Sequence, residues 1–237
     1  MPGYLLKQEC VPVAGVADLH IHSLLDRQQF ADPSGEAAAL GISSAAWPLF
    51  GLVWPSGVHL AAHMGRRPVV AGERILEVGC GLGLASLVSH RRGALVTASD
   101  CHPLAEAFLQ RNVKANDLAD MTYRHGNWAE PAALPGFAVR APVDGRYEVI
   151  MGSDVLYERD EAGVLSGFIG RHATSAGEVL IVDPNRGNRA RFTHQMMTLG
   201  YTLVQHSLMD LGALSGPYRG TLLHYSRSAQ AYERTLN

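Results

Sequence analysis

From residue 74 onward, short apolar runs alternate with segments whose apolar residues recur at helical spacing. This pattern predicts strands at 74–78, 94–99, 121–125, 147–152 and 178–183, and helices at 83–91, 102–116, 159–173 and 189–198. Regular alternation of this kind is typical of βαβ units, which place parallel strands side by side and cover both faces of the sheet with helices. The sequence therefore predicts an α/β fold built on a mostly parallel sheet.

The two ends of the chain carry different patterns. Two strand patterns at 201–208 and 220–225 are separated by a loop with Gly212 and Gly216 and no helix, so they are expected to pair antiparallel. Near the start, strand pieces at 19–22 and 24–25, a turn at 32–35 and a brief helix at 36–40 are weaker signals. We expect residues 1–53 to form an extension, a hairpin or a lid, ahead of a domain at 54–237 whose first helix is capped by Ser56.

The segment Ile75–Leu84 (ILEVGCGLGL) is an apolar strand that runs into three closely spaced glycines. Glycine at 79, 81 and 83 permits positive φ and lets the backbone approach a ligand closely. A dinucleotide fingerprint requires glycine or alanine where this chain has Leu84, and the carboxylate of Glu77 would repel a diphosphate. The turn is therefore predicted to bind a nucleoside without phosphates, the alternative being a turn that binds nothing.

Asp100 ends the next predicted strand, where a carboxylate can accept hydrogen bonds from both hydroxyls of a ribose. A nucleoside, an acidic strand end and no phosphate together indicate S-adenosylmethionine as the cofactor.

Composition limits the classes of partner. The 237 residues are 47% hydrophobic and 18% charged with a formal net charge of -2, which suits one α/β domain and gives no reason to expect a nucleic acid or an anionic membrane as partner. Three cysteines, Cys10, Cys80 and Cys101, fit neither a disulfide framework nor a zinc site. Without an export signal or a long apolar run, a cytoplasmic monomer with reduced thiols is expected.

His20 and His22 could share one face of a strand as metal ligands do, but no further ligands complete a site, so no metal is predicted.

Several further motifs resemble one enzyme family. They are Val53-Trp-Pro-Ser-Gly57, Asn127-Trp128, Ser153-Asp-Val-Leu-Tyr157 and Asp183-Pro-Asn-Arg186. Together with the glycine turn and Asp100, they resemble class I methyltransferases that use S-adenosylmethionine, and in particular methyltransferase family 16, which holds many protein lysine methyltransferases. The resemblance covers most of the chain from Trp54 to Tyr225. It implies a Rossmann-like seven-stranded sheet of order 3-2-1-4-5-7-6, with the last strand antiparallel and helices on both faces.

The same resemblance implies roles for individual residues around the cofactor. Glu77 and the turn Gly79, Cys80, Gly81 and Gly83 would surround the methionine end, Asp100 would hold the ribose, Asn127 and Trp128 would flank the adenine, Ser153 would lie beneath the sulfonium and Trp54 would close the pocket. Trp47 and Trp54 are expected to divide between core and pocket.

Asp154 and Tyr157 are the predicted catalytic residues. A carboxylate beside an amine stabilises the ammonium, so Asp154 is expected to catch and orient the nitrogen rather than to deprotonate it. Tyr157 could offer its ring face to a cation. The alternatives are that Asp154 caps a helix or pairs with an arginine, and that Tyr157 and Trp54 are core aromatics. The turn with Asp183, Arg186 and Arg189 could face the substrate or be a solvated loop.

The function that these expectations favour is N-methylation of a protein lysine side chain. A small-molecule N-methyltransferase would use the same cofactor pocket, and a non-catalytic S-adenosylmethionine-binding module is a further alternative. An open acidic groove at the acceptor side would favour a protein substrate, whereas a closed aromatic cavity would favour a metabolite.

Overall fold

A computed structural model of the protein describes residues 3–129, 140–157, 159–210 and 217–234. The chain begins with a hairpin of strands β1 (Leu6–Val11) and β2 (Leu19–Leu24), followed by helix α1 (Glu36–Ala39), a 3-10 helix (Trp47–Gly51) and helix α2 (Pro55–Arg66). The predicted loop glycines Gly212 and Gly216 lie outside the described residues.

The main sheet follows in the order that the alternating pattern predicts. Its strands are β3 (Arg74–Val78), β4 (Leu95–Asp100), β5 (Thr122–His125), β6 (Tyr147–Ser153), β7 (Ala173–Asp183), β8 (Thr202–Asp210) and β9 (Tyr218–Ser226). The helices between and after them are α3 (Leu84–Arg91), α4 (Ala105–Ala115), α5 (Val164–His172), α6 (Arg189–Thr198) and α7 (Ala229–Arg234).

The seven strands lie in the spatial order β5-β4-β3-β6-β7-β9-β8. Counted from β3 as the first strand of the sheet, this order is 3-2-1-4-5-7-6, as expected. Strands β3 to β7 pair in parallel, and β9 runs antiparallel to both of its neighbours, β7 and β8. The predicted α/β class, topology and antiparallel last strand are therefore confirmed.

Both faces of the sheet are covered, and each has its own apolar core. One core joins the hairpin, α2, α3 and α4 to side chains of β3, β6 and β7 that point to the same face. The other joins α5 and α6 to the opposite side chains of these strands. Burial on both faces explains why the strands are almost continuously apolar in sequence.

Three helix starts differ from the expectations, and hydrogen bonds explain two of them. Helix α5 begins at Val164 instead of 159, because Gly163 has a φ of 71° and the Asp160 carboxylate accepts the first free N–H groups, those of Val164 and Leu165, at 2.7 and 2.9 Å. Helix α4 begins at Ala105 instead of 102, because Asp100 Oδ1 accepts the His102 N–H and His102 Nδ1 accepts the Leu104 N–H, which holds residues 102–104 in a turn ahead of the helix.

Helix α2 begins at Pro55 with Trp54 as its N-terminal flanking residue, so Ser56 is not its cap. The Ser56 hydroxyl lies within the helix, where it shares a hydrogen bond of 2.9 Å with the hydroxyl of Tyr218. In the part of the chain that the structure describes, no helix combines the length and the apolar character needed to cross a membrane.

The hairpin is attached to helix α4 through two asparagines. The backbone N–H groups of His20 and His22 donate to Asn116 Oδ1 and Asn112 Oδ1 at 3.0 and 2.8 Å, and Asn116 Nδ2 donates to His20 O at 2.8 Å. These bonds satisfy the edge of β2 that β1 leaves free. The predicted domain boundary between residues 53 and 54 stays a prediction.

Candidate active site

The turn between β3 and α3 has the backbone conformation that its glycines predict. Gly79, Gly81 and Gly83 have φ values of 58°, 51° and 74°. A Cβ atom on Gly81 would lie 2.7 Å from the carbonyl oxygen of Phe50, which belongs to the 3-10 helix. Glycine is therefore required at position 81 for two reasons, a positive φ and the close approach of another backbone segment.

Asp100 joins this turn to the end of the neighbouring strand. Its Oδ2 accepts the Gly81 N–H at 2.8 Å, and its Oδ1 accepts the His102 N–H at 2.8 Å. Cys101 also donates to this carboxylate, which lines the cavity where a ribose hydroxyl could approach it. Burial raises the pKa of Asp100, while the backbone donors act in the opposite direction.

The turn residues do not all reach the ligand space. Glu77, Cys80 and Gly83 are absent from the lining of the cavity described below. The buried carboxylate of Glu77 accepts both the backbone N–H of Ser86, at 2.9 Å, and the hydroxyl of Ser86, at 2.5 Å. Glu77 thus ties strand β3 to the first turns of α3, and its expected role around the methionine end of the cofactor stays a prediction. Burial raises its pKa to about 7.

A cavity of about 670 Å³ opens at the carboxyl ends of the parallel strands. Its volume lies within the range of about 300–1,000 Å³ that is usual for small-molecule sites. The structure brings nine of the twelve predicted site residues to its walls: Trp54, Gly79, Gly81, Asp100, Asn127, Trp128, Ser153, Asp154 and Tyr157. Residues before Trp54 also form part of the wall, among them Arg27, Leu40, Ile42 and Leu49.

Aromatic groups surround the cavity near the glycine turn. Trp54 donates its indole N–H to Leu49 O at 2.8 Å, whereas Trp47 is only 1% exposed, so the two tryptophans divide between pocket and core as expected. The indole of Trp128 lies close to Gly79, where a Cβ atom would be 3.4 Å from its Cζ2. Such flat faces suit a purine ring.

Sequence reasoning missed a second aromatic pair in the wall. The rings of Phe50 and His102 stack with centroids 3.6 Å apart and planes 11° from parallel. Leu104 N–H donates to His102 Nδ1 at 3.2 Å, and burial lowers the pKa of His102 to about 3, so the imidazole is neutral. The partners are 52 positions apart, and no local pattern marks either residue as part of a site.

The wall of the same cavity contains the predicted catalytic residues, Asp154 and Tyr157. Asp154 follows β6 and has a φ of 58°. Its carboxylate pairs with Arg186, with Arg186 Nε 3.0 Å from Oδ1 and Arg186 Nη2 donating to Oδ2 at 3.1 Å. The sequence alternative of an arginine partner is thus observed, whereas the helix-capping alternative is not, because Asp160 caps α5. Burial raises the pKa of Asp154 and the guanidinium of Arg186 opposes this rise.

The mouth around Asp154 is open and polar. Tyr157 is 45% exposed, which excludes a core role for its ring. The described residues around this mouth include Arg159, Asp160, Asn188 and Arg191. The sequence analysis contrasted an open acidic groove with a closed aromatic cavity, and the mouth is neither of these. It is open, which is the property expected for a large substrate, but its charges are mixed.

The donor set of the cavity fits a nucleoside. Positive-φ glycines allow close approach, the Asp100 carboxylate can accept hydroxyl groups, and the indole N–H of Trp128 is buried without a hydrogen-bond partner in the described structure. Buried donors of this kind are usually satisfied, so a bound ligand is one explanation of this unpaired group.

The sheet order and the cavity together define the class of fold, which is that of Rossmann-like methyltransferases. A crystal structure of magnesium protoporphyrin IX methyltransferase (ChlM) from Synechocystis PCC 6803 with bound SAM shares it, with a TM-score of 0.54 and 18% identity over 73% of this chain and 78% of that chain. Within this class, residues 48–198 match the lysine methyltransferase family model, and the chain belongs to that family.

Curated relatives carry different acceptors in their names. The electron transfer flavoprotein beta subunit lysine methyltransferase of Xenopus laevis is 30% identical over 167 residues, which are 69% of this chain and 62% of that protein. Histone-arginine methyltransferase METTL23 of Xenopus laevis is 32% identical over 109 residues, covering 45% of this chain and 44% of that protein. The chain thus spans less than two thirds of the length of these relatives.

Proposed function

We propose that the protein is an S-adenosylmethionine-dependent methyltransferase that methylates the side-chain nitrogen of a lysine in a protein substrate. The observation that carries the proposal is one cavity whose wall contains both the glycine turn with Asp100 and the pair Asp154 and Tyr157. Membership of the lysine methyltransferase family supports the choice of acceptor.

In this proposal the protein holds the cofactor through its ribose hydroxyls and its flat adenine ring. Gly79 and Gly81 give the backbone room beside the ligand, Asp100 accepts the ribose hydroxyls, and Trp128 offers a face for the adenine. Asn127, Ser153 and Trp54 complete the wall. Glu77 contributes indirectly, because it holds the turn against α3.

S-adenosylmethionine, when bound, supplies an electrophilic methyl group, which a nitrogen lone pair accepts while the electron pair of the broken C–S bond stays on sulfur. The protein's part is to align a neutral amine, since the aligned geometry of two reactants is worth about 7–11 kcal/mol in good intramolecular models. With a reference pKa near 10.4, about one lysine in a thousand is neutral near pH 7.4, which costs about 4 kcal/mol. Asp154 would accept a hydrogen bond from the nitrogen and orient it, and Tyr157 would border the incoming chain.

The open mouth supports a protein substrate over a metabolite. Tyr157 is 45% exposed and the Arg186 side chain 42% exposed, so the part of the cavity around Asp154 is reached from solvent by a long side chain. The electron transfer flavoprotein beta subunit is the first acceptor to test, because a relative that is 30% identical is named for it. A cytoplasmic monomer without nucleic-acid or membrane partners is part of this proposal.

The test is transfer of a radiolabelled methyl group from S-adenosylmethionine to that subunit and to a cell lysate separated into protein and small-molecule fractions. Label is expected in protein, and mass spectrometry is expected to place it on lysine. Label in the small-molecule fraction alone would support the metabolite alternative, and label on arginine would refute the lysine assignment.

The Asp154→Asn variant tests the role of the carboxylate. We expect a loss of about 10²-fold or more in transfer, as is typical for a group that positions a reactant. The control is Asp144→Asn, which removes an exposed carboxylate that is not part of the described cavity lining. Equal labelling by Asp154→Asn and the unaltered protein would overturn this role, and a thermal shift with S-adenosylmethionine would show that the variant still folds and binds.

A further inference from the structure

Arg186 and Asp154 form an ion pair in the part of the cavity proposed to receive the acceptor, although they are 32 residues apart in the sequence. Two atom pairs connect them, Nε–Oδ1 at 3.0 Å and Nη2–Oδ2 at 3.1 Å. The Asp154 side chain is only 12% exposed, and the Arg186 guanidinium contacts both of its carboxylate oxygens.

Both partners are fixed through their backbones. The Asp154 N–H donates to Val182 O at 2.8 Å, which places the carboxylate at the end of β6. The Arg186 N–H donates to Asp183 Oδ2 at 3.0 Å, and the turn between them contains Asn185 with a φ of 61°.

The Asn185 side chain holds this turn in place. Its Oδ1 accepts hydrogen bonds from Thr221 Oγ1 and Arg189 Nη1 at 2.8 and 2.9 Å. The guanidinium of Arg186 is therefore held beside Asp154 by a turn that several hydrogen bonds fix.

A carboxylate beside an amine poses an electrostatic problem that a cation next to it would solve. An isolated carboxylate stabilises the ammonium form and so opposes the loss of the proton that methylation requires. A guanidinium in contact with that carboxylate cancels most of its field, while the oxygens keep lone pairs that accept N–H groups.

We infer that Arg186 is a positioning residue that neutralises Asp154, so that the carboxylate orients the acceptor nitrogen without holding it in the ammonium form. The inference rests on the proposed function, because it requires an amine at Asp154. It assigns a role to the Asp183–Arg186 turn, which the sequence left open between a substrate-facing turn and a solvated loop.

Other charged or titratable groups are close enough to contribute to the field at the pair. Those on packed elements are Asp183 on β7, Arg189 on α6 and Tyr218 on β9, and those along the cavity are Arg159, Asp160 and Arg191, with Tyr157 beside them. Of these, Arg191 is the matched comparison for Arg186, because it is an arginine that lines the same cavity but donates to Glu161 O, at 3.5 Å.

The test uses a probe that brings its own amine to the acceptor position, so it does not depend on knowing the substrate. The probe is an S-adenosylmethionine analogue with nitrogen in place of sulfur and a 3-aminopropyl arm in place of the methyl group. A matched analogue with a propyl arm lacks the terminal amine. The difference between their dissociation constants, measured by calorimetry from pH 6 to about pH 10, gives the pKa of the terminal amine in the complex.

The variants are Arg186→Gln, Arg186→Lys and Arg191→Gln, each checked for folding by thermal unfolding. In Arg186→Gln the pKa of the bound amine is expected to rise by about 1 unit, the low end of the usual effect of a nearby charge because the pair is partly exposed. Arg186→Lys keeps the positive charge and is expected to restore most of the unaltered value, and Arg191→Gln is expected to change it much less than Arg186→Gln does. Arg186→Met repeats the removal of charge if Arg186→Gln does not fold.

An amine pKa in Arg186→Gln equal to that of the unaltered protein would overturn the inference, as would an equal rise in Arg191→Gln. If neither analogue binds the unaltered protein, the proposed cofactor site itself fails, and the inference fails with it. The two failures are distinguishable, because the propyl analogue reports on the cofactor site alone.

Discussion

Substitution of Gly81 by alanine tests two properties of the glycine turn, its positive φ and its close contact with the backbone of the 3-10 helix. Gly81 has a φ of 51°, and a Cβ there would lie 2.7 Å from the carbonyl oxygen of Phe50. Gly93 offers a matched comparison, because its φ is 83° and a Cβ there meets nothing within 4 Å. Both substitutions force alanine into the left-handed region, but only Gly81→Ala also adds a steric conflict.

The magnitudes follow from these two contributions. The left-handed conformation costs a residue with a Cβ about 1–2 kcal/mol. Overpacking of a well-packed site adds about 1–3 kcal/mol. We therefore expect Gly93→Ala to lower the free energy of unfolding by about 1–2 kcal/mol and Gly81→Ala to lower it by about 2–5 kcal/mol.

The measurement is urea unfolding of both variants and the unaltered protein, monitored by circular dichroism. Equal slopes against urea concentration would show that the unfolded states are comparable. If Gly81→Ala and Gly93→Ala differ by less than about 0.5 kcal/mol, the contact of the 3-10 helix with the turn is not as tight as the structure has it, and the steric part of the reasoning is refuted.

Two further predictions concern the buried carboxylates. Asp100→Asn should weaken S-adenosylmethionine binding by about 10- to 100-fold, since hydrogen bonds to a charged group contribute about 1.5–3 kcal/mol. Calorimetry measures the affinity, and Asp144→Asn is the control. Unchanged affinity in Asp100→Asn would exclude Asp100 from the ribose site. Glu77→Gln should change the dependence of stability on pH. Burial raises the pKa of Glu77 from 4.5 to about 7. The folded protein therefore keeps a proton that the unfolded chain releases, and stability falls as pH rises through this window by about 3 kcal/mol. Glutamine removes this loss, so the free energy of unfolding of the variant relative to the unaltered protein should increase between pH 4.5 and pH 8, and a constant difference across that range would contradict the raised pKa.

Local stereochemistry explains why the conformation of the glycine turn, in the part of the site proposed to bind the cofactor, was predictable. Three glycines within five residues at the end of an apolar strand require a tight turn, and the turn has positive φ at all three. Asp100 was predictable for a related reason, because parallel strands end at a common edge and the last residue of β4 lies next to the turn after β3.

Glu77 shows where the same reasoning fails. Sequence position places its carboxylate near the strand end but cannot tell on which face it lies or what covers it. In β3, Glu77 shares a face with Ile75, and this face is covered because the sheet has helices on both sides. Helix α3 then supplies two donors from Ser86, a partner nine residues away that is fixed only by the packing of α3 on the sheet.

The acceptor half depends on contacts that no spacing rule contains. Asp154 and Arg186 are 32 residues apart, and they meet because β6 and β7 are neighbours whose carboxyl ends lie side by side. Their meeting changes the chemistry that can be assigned to Asp154. Alone, this carboxylate would bind a lysine ammonium well and transfer a methyl group to it poorly, since the ammonium has no lone pair. With Arg186 against it, the site offers hydrogen-bond acceptors at little net charge, which is what orientation of a neutral amine requires. For the proposed lysine acceptor, Arg186 is therefore the residue that allows a neutral amine to act as the nucleophile, and Arg186→Gln is expected to change the protonation of the acceptor more than its affinity.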